Sequence, residues 1–317
     1  MRWLNYGEIF STKKLQEIDE SLHYAKSPQF ILKENLPTFY CTSQYKDKHN
    51  KWISTPFSVS YNEDFSNIVN INIDVLAKSN CVGVFDEHGI FPFSPLNVGA
   101  DTWAYTTGWS RRKSVDIDMS IGLCISKNGG LFERKFNGPI MTHSLKEPFL
   151  VGDAFVQIID NTFHMWYIFG DKWLTRSNDY EPQRRYRIAH ATSLDGINWM
   201  RDSEYIIPEH SELECQALPS VIFHEDRYHM VFCYRNVFDF RSGGDNSYKL
   251  GYAYSIDGKV WSRDDGYISN ISNRYDWDSA MQCYPNIFVY DNQIFCAYNG
   301  NDFGLNGFGL AKLEILD

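Results

Sequence analysis

The chain alternates apolar and polar residues over short runs, and those runs recur in a fixed order. Pro56-Phe-Ser-Val-Ser60, Ile121-Gly-Leu-Cys-Ile-Ser126, Ile188-Ala-His-Ala-Thr-Ser193 and Leu250-Gly-Tyr-Ala-Tyr-Ser255 each place side chains on two faces and end in serine. Those serines recur at intervals of 62 to 67 residues. The last two copies continue alike, as Asp195-Gly-Ile-Asn-Trp199-Met-Arg201 and Asp257-Gly-Lys-Val-Trp261-Ser-Arg263. A shortened copy, Gly307-Phe-Gly-Leu-Ala-Lys-Leu313, lies near the C-terminus. Asp-Gly and Asn-Gly supply the positive φ of tight turns, so each copy reads as strand, turn, strand. The Trp after the turn reads as a plug between neighbouring sheets, and Asp195 and Asp257 as turn formers.

Two further strands precede each copy. Ala217–Phe223, the turn Glu225-Asp226 and Tyr228–Tyr234 form one such pair. Ala154–Ile159 and Phe163–Phe169 flank Asp160-Asn161, and Tyr284–Tyr290 and Ile294–Tyr298 flank Asp291-Asn292. Four strands per unit and five units in 317 residues predict an all-β, five-bladed β-propeller with four-stranded antiparallel blades. It fills residues 1–317 as one domain. The last unit lacks a fourth strand, which the N-terminal segment 1–27 is expected to supply through Trp3 to Phe10. Only Lys13 to Tyr24 reads as helical, too little for an α/β fold.

Charge and composition narrow the chemistry. A net charge of −10 disfavours nucleic acid. Arg184-Arg185-Tyr186-Arg187 reads as a blade edge. Aromatics at 16% suit strands and also stack on sugar rings. The seven cysteines form no CxxC pair, and Cys124, Cys233 and Cys296 read as small core residues. No metal or cofactor is called for. No apolar run spans a membrane, and the N-terminus lacks the apolar core of a signal peptide, so a cytoplasmic location is expected.

In a propeller, first strands line the axis, and their entry ends gather residues from every blade. Carboxylates recur there: Asp86, Glu147, Asp153, Glu212, Glu214, Asp276 and Asp278. Glycoside hydrolysis needs one carboxylic acid to protonate the leaving oxygen and a second carboxylate to activate water or attack. Asp86 and Glu214 stand out, because apolar strand residues follow each and an unpaired charge there is costly. The second strands end in Trp109, Asp171, Trp173, Arg235, Asn299 and Asn301. Trp109 and Trp173 are candidates for sugar stacking. Arg235 and Asp278 are candidates for holding hydroxyls or a charged group, with Gln282, Asn299, Asn301 and His88 beside them. Phe238 to Asn246 reads as a mobile loop over the pocket.

The Ser-x-Asp-Gly-x-x-Trp turns and the pre-strand acids resemble the five-bladed glycosidase superfamily of invertases, levansucrases and arabinanases. Phe85-Asp-Glu-His-Gly89, Trp277-Asp-Ser-Ala-Met-Gln-Cys-Tyr-Pro285 and the segment Tyr298 to Ala311 resemble two narrower groups. One is the bacterial glycosidase-like proteins associated with surface-polysaccharide genes. The other is the propeller domain of plant glycosyl inositolphosphorylceramide glycosyltransferases. The resemblance implies an Asp base or nucleophile, a modulating Asp and a Glu acid, which blade order assigns to Asp86, Asp153 and Glu214. It implies a saccharide or glycoconjugate substrate in cell-surface polysaccharide metabolism. The chain departs from the pattern: the first unit offers no Asp at Asn35–Phe39, and the invertase-type Asn-Asp-Pro-Asn and Arg-Asp-Pro motifs are absent. Those departures keep open a non-catalytic sugar-binding propeller serving a glycosyltransferase, and, further off, a protein-interaction propeller.

Overall fold

A computed structural model describes residues 2–78, 82–176, 181–271 and 277–314. They form five four-stranded antiparallel sheets arranged as the blades of a propeller. Blade 1 comprises His23–Lys33, Leu36–Lys46, Trp52–Tyr61 and Ile68–Asn72. Blade 2 comprises Ile90–Val98, Asp101–Arg111, Ile117–Lys127 and Glu133–Arg134, and blade 3 comprises Val151–Ile159, Thr162–Leu174, Gln183–Ser193 and Met200–Arg201. Blade 4 comprises Glu214–His224, Arg227–Asn236, Lys249–Ser255 and Ser262–Arg263. Blade 5 takes Cys283–Tyr290, Gln293–Asn299 and Gly307–Glu314 from the C-terminal end and Arg2–Ser11 from the N-terminal end.

The turn chemistry carries the hairpins. Asp160-Asn161, Glu225-Asp226 and Asp291-Asn292 have both central residues at positive φ, the primed-turn geometry that matches strand twist. Asp195 caps the next turn, its Oδ1 accepting the N–H groups of Ile197 and Asn198, and Gly196 and Gly258 share φ +71°. Helix is scarce. Of the expected Lys13 to Tyr24, only Lys13–Gln16 is helical, because the first axial strand already starts at His23.

The aromatic after each turn packs on the preceding blade. Phe132 meets Tyr40, Trp199 meets Tyr105 and Trp261 meets Trp166, all edge to face. Trp3 repeats the arrangement against Tyr267. Around the axis, side chains bond strand to strand: Asn286 accepts from the Phe30 N–H at 2.8 Å and donates to Ser220 at 3.0 Å. The six described cysteines are free and buried. No helix among the described residues is long and apolar enough to cross a membrane.

Candidate functional site

Three of the recurring carboxylates have a structural explanation. Each precedes or opens the first strand of its blade and meets an arginine on the fourth strand of the same blade. Asp86 pairs with Arg134 at 2.6 Å, Glu147 with Arg201, and Glu214 with Arg263 at 2.7 Å. Glu214 also accepts from Gln216 Nε2 at 2.8 Å and from the His210 N–H at 3.1 Å. The arginines sit in register opposite Cys124, Ala191 and Ala253. In blade 5 the same position, opposite Ala311, holds Asn5, whose amide donates to Tyr298 Oη, which in turn donates to Asp278 at 2.8 Å. Asp86 and Glu214, the expected base and acid, are each held by an arginine and lie outside the lining of the axial cavity. Burial does demand a partner for each, but the partner is an arginine of its own blade.

The axial cup is built from other residues. It is a cavity of about 470 Å³, the size of a small-ligand site, and all five blades line it. Tyr24, Trp52, Trp109, Phe240 and Phe303 supply aromatic wall. The first strand of every blade carries a register shift at the cup, and Ser27, Asp153, Leu218 and Tyr284 have positive φ there. Such a bulge re-aims one side chain per blade. Four of the five positions precede a proline (Pro28, Pro92, Pro219, Pro285), while blade 3 has Asp153-Ala154.

Asp153 is the carboxylate among the described cup-lining residues. It is buried, and loss of water pushes its pKa up to about 7, against the Leu218 N–H at 3.3 Å and the Arg184 charge. Its own N–H donates to Thr107 Oγ1 at 2.7 Å. A carboxyl that keeps its proton near neutrality can act as a general acid. Three cations share the lining, Lys26, Arg184 and Arg241. Burial lowers the Lys26 pKa to about 8, with the Arg241 charge adding to the effect, and its Nζ donates to Gln44 Oε1 at 2.8 Å.

No family model matches the chain. It is 30% identical over 251 residues to the uncharacterized protein Rv1502 of Mycobacterium tuberculosis strain H37Rv, spanning 78% of this chain and 79% of that protein. The chain belongs to the Rv1502 family. The protein MT1551 of M. tuberculosis strain CDC 1551 matches to the same extent. Among solved structures, a β-1,2-mannobiose phosphorylase from Listeria innocua superposes with TM-score 0.70 at 11% identity, covering 99% of this chain and 97% of that one. A chain described as a glycoside hydrolase gives TM-score 0.70 at 13% identity, covering 97% and 96%. A thermostable family-43 glycoside hydrolase gives 0.61 at 14%, covering 92% and 90%. Carbohydrate-active enzymes thus share the five-bladed fold of this member of the Rv1502 family.

Of the residues singled out in the sequence, the cup gathers Asp153 and Trp109; Trp109 Nε1 donates to Ser54 at 3.1 Å. His88 lies behind Trp109, its Nδ1 accepting the Arg111 N–H at 3.3 Å. Arg235 is buried behind the wall and donates to Tyr186 and Tyr248, two lining residues, at 3.0 and 3.1 Å. Trp173 packs against the large core cluster, opposite Arg184. Asn299 is a buried clamp between blades, donating to Ala25 and Gly307 carbonyls at 2.7 Å each. Asn301 Oδ1 accepts the Ala280 and Met281 N–H groups, and Gln282 donates to the Asp278 carbonyl. In each of these positions the side chain has a structural partner. Asp276 lies outside the described residues.

Sequence reasoning missed Lys26, Arg184 and Arg241. Arg184 belongs to the basic run read as a blade edge: Arg185 there pairs with Asp171 and Arg187 with Glu209, while Arg184 reaches the cup. Arg241 sits in the Phe238 to Asn246 segment, which does contribute to the cup. The proline after the other four bulges is the signal that would have aligned Asp153 with the axis.

Proposed function

We propose that this chain is a carbohydrate-active enzyme that acts on a glycosidic bond in its axial cup, with Asp153 protonating the leaving oxygen. The observation that carries this reading is Asp153 itself, a buried carboxyl with a pKa of about 7 in an aromatic-walled axial cavity. Trp52 and Trp109 are placed to stack on sugar faces. With one acid in the described lining, an anionic co-substrate that needs no second carboxylate to activate it would be the attacking group, so transfer fits the cup better than two-carboxylate hydrolysis. The phosphorylase among the structural neighbours supports such chemistry on this fold. The resemblance to proteins associated with surface-polysaccharide genes supports a cell-surface saccharide as substrate.

The test is a glycoside panel assayed with and without inorganic phosphate, using wild type and Asp153→Asn. Wild type should cleave or transfer, and the variant should lose at least about a hundredfold in turnover while still binding. Undiminished turnover in Asp153→Asn removes the assignment. The single carboxylate among the described lining residues favours one rival, a sugar-binding propeller that serves a glycosyltransferase. Saccharide binding with no bond made or broken would select it.

A further inference from the structure

The chain carries a net charge of −10, yet the described residues lining its axial cup include three cations and one acid. That acid, Asp153, holds its proton to about pH 7, so it offers the cations little compensation. Lys26 and Arg241 have no carboxylate within ion-pair distance among the described residues. Lys26 instead bonds Gln44 and lies 4.0 Å from the centre of the Tyr24 ring, and Arg241 lies over Phe240 at 4.2 Å. Arg184 has Asp116 at 3.5 Å, and Glu181, whose pKa is raised by Asp116 beside it, is exposed and feels the Arg241 charge only weakly. Arg235 stacks on Phe240 at 3.7 Å and is 3% exposed, with tyrosine hydroxyls and carbonyls as its hydrogen-bond partners. It adds fixed positive charge behind the wall.

Gathering like charges in a partly dehydrated cavity costs free energy that an incoming anion would recover. We infer that Lys26, Arg184 and Arg241 form a subsite for a phosphoryl group, carried on the saccharide or presented as inorganic phosphate. This rests on the axial cup being the saccharide site. The three donors come from blade 1, blade 3 and the loop between strands of blade 4, and they line one cavity, where, besides burial, Arg241 is near enough to lower the Lys26 pKa and Arg184 near enough to lower that of Arg241. A carboxylate is satisfied by one forked arginine, whereas a phosphoryl dianion offers three oxygens to separate donors.

Calorimetric titration of the full chain tests this with inorganic phosphate, glucose 1-phosphate, glucose 6-phosphate, glucuronate and glucose. A phosphoryl probe should bind more tightly than glucuronate or glucose, and added salt should weaken it. Arg241→Gln and Lys26→Gln should each weaken binding about tenfold or more, and Arg241→Lys should lose less. Lys127→Gln, at a hairpin end remote from the cup, should change nothing, and thermal melts check that each variant is folded. Binding of inorganic phosphate assigns the group to a co-substrate, and a requirement for a sugar phosphate assigns it to the substrate. No phosphoryl binding, tighter glucuronate binding, or indifference to the Arg241 and Lys26 variants overturns the inference. Turnover of a neutral glycoside without phosphoryl binding would sink this subsite alone. Phosphoryl binding without turnover would sink the enzyme reading and leave the subsite standing.

Discussion

Asp153 shows how one residue can be legible in type but not in role. Its position before a first strand marks it as a candidate, as it does Asp86 and Glu214. The same burial argument applies to all three, but Asp86 and Glu214 have arginines within 2.7 Å and Asp153 has a backbone N–H at 3.3 Å. The sign of its pH dependence follows. The pKa is about 7 folded against 3.8 for the free side chain, so between those values the folded state binds more proton than the unfolded. Its stability contribution is intact below about pH 4 and is lost as pH rises through 7. Asp153→Asn removes that loss, so the variant should be more stable than wild type at pH 8 by up to a few kcal/mol, with a smaller gap at pH 5. Urea unfolding at both pH values measures this; an equal gap at both would show that Asp153 is ionised in the folded chain. Lys26 and Arg184 were illegible for a different reason. Whether a basic side chain lies on a blade edge or an axial rim depends on ring closure, which neither residue's neighbours in sequence report.

At the scale of the blade, the repeat was legible because three local signals agree: the alternating strand, the Asp-Gly turn and the aromatic that follows. The aromatic-x-Arg spacing was visible too, in Phe132-Glu-Arg134, Trp199-Met-Arg201 and Trp261-Ser-Arg263, but its meaning required the fold. The arginine returns to the carboxylate that opens its own blade, tying the outermost strand to the chain entering the innermost one. Blade 1 has neither partner; Asn72 stands opposite Ser58, and the absent first-unit acid is part of the same gap. The lock in blade 4 is nearly closed to water, with both Arg263 and Glu214 side chains 4% exposed. Arg263→Ala strands a buried carboxylate and should cost about 3–5 kcal/mol. Glu214→Ala should cost less, because Arg263 keeps Asp265 at 2.9 Å. Glu214→Gln should lower the melting temperature yet leave turnover per folded molecule unchanged. A collapse of turnover in well-folded Glu214→Gln would return Glu214 to the chemistry and displace Asp153.

Across the whole molecule, the cup exists only if the ring closes. Residues 24, 109, 153, 241 and 284 reach one cavity because blade 5 is assembled from both ends of the described chain. Arg2–Ser11 pairs antiparallel with Gly307–Glu314, and Trp3 and Asn5 occupy the positions that Trp261 and Arg263 hold in blade 4. Trp3 is 2% exposed and donates its indole N–H to the Tyr267 carbonyl at 3.1 Å, fastening this strand to blade 4. Phe10, 1% exposed, packs on Phe57 of blade 1 and Phe308 of blade 5. The strand therefore bridges three blades. Trp3→Ala should cost about 3–5 kcal/mol through the cavity it leaves. Deleting residues 2–11 goes further, stripping a partner from Gly307–Glu314 and leaving an unpaired edge that favours association with other chains. The truncated protein should unfold at much lower temperature, aggregate, and lose ligand binding together with stability, because opening blade 5 lets Tyr284 and Phe303 drift from the cup. Scanning calorimetry with light scattering reads the first two effects and titration the third. A truncated chain that melts like wild type and still binds would mean that the cup is held by four blades and that closure by the N-terminal strand is dispensable.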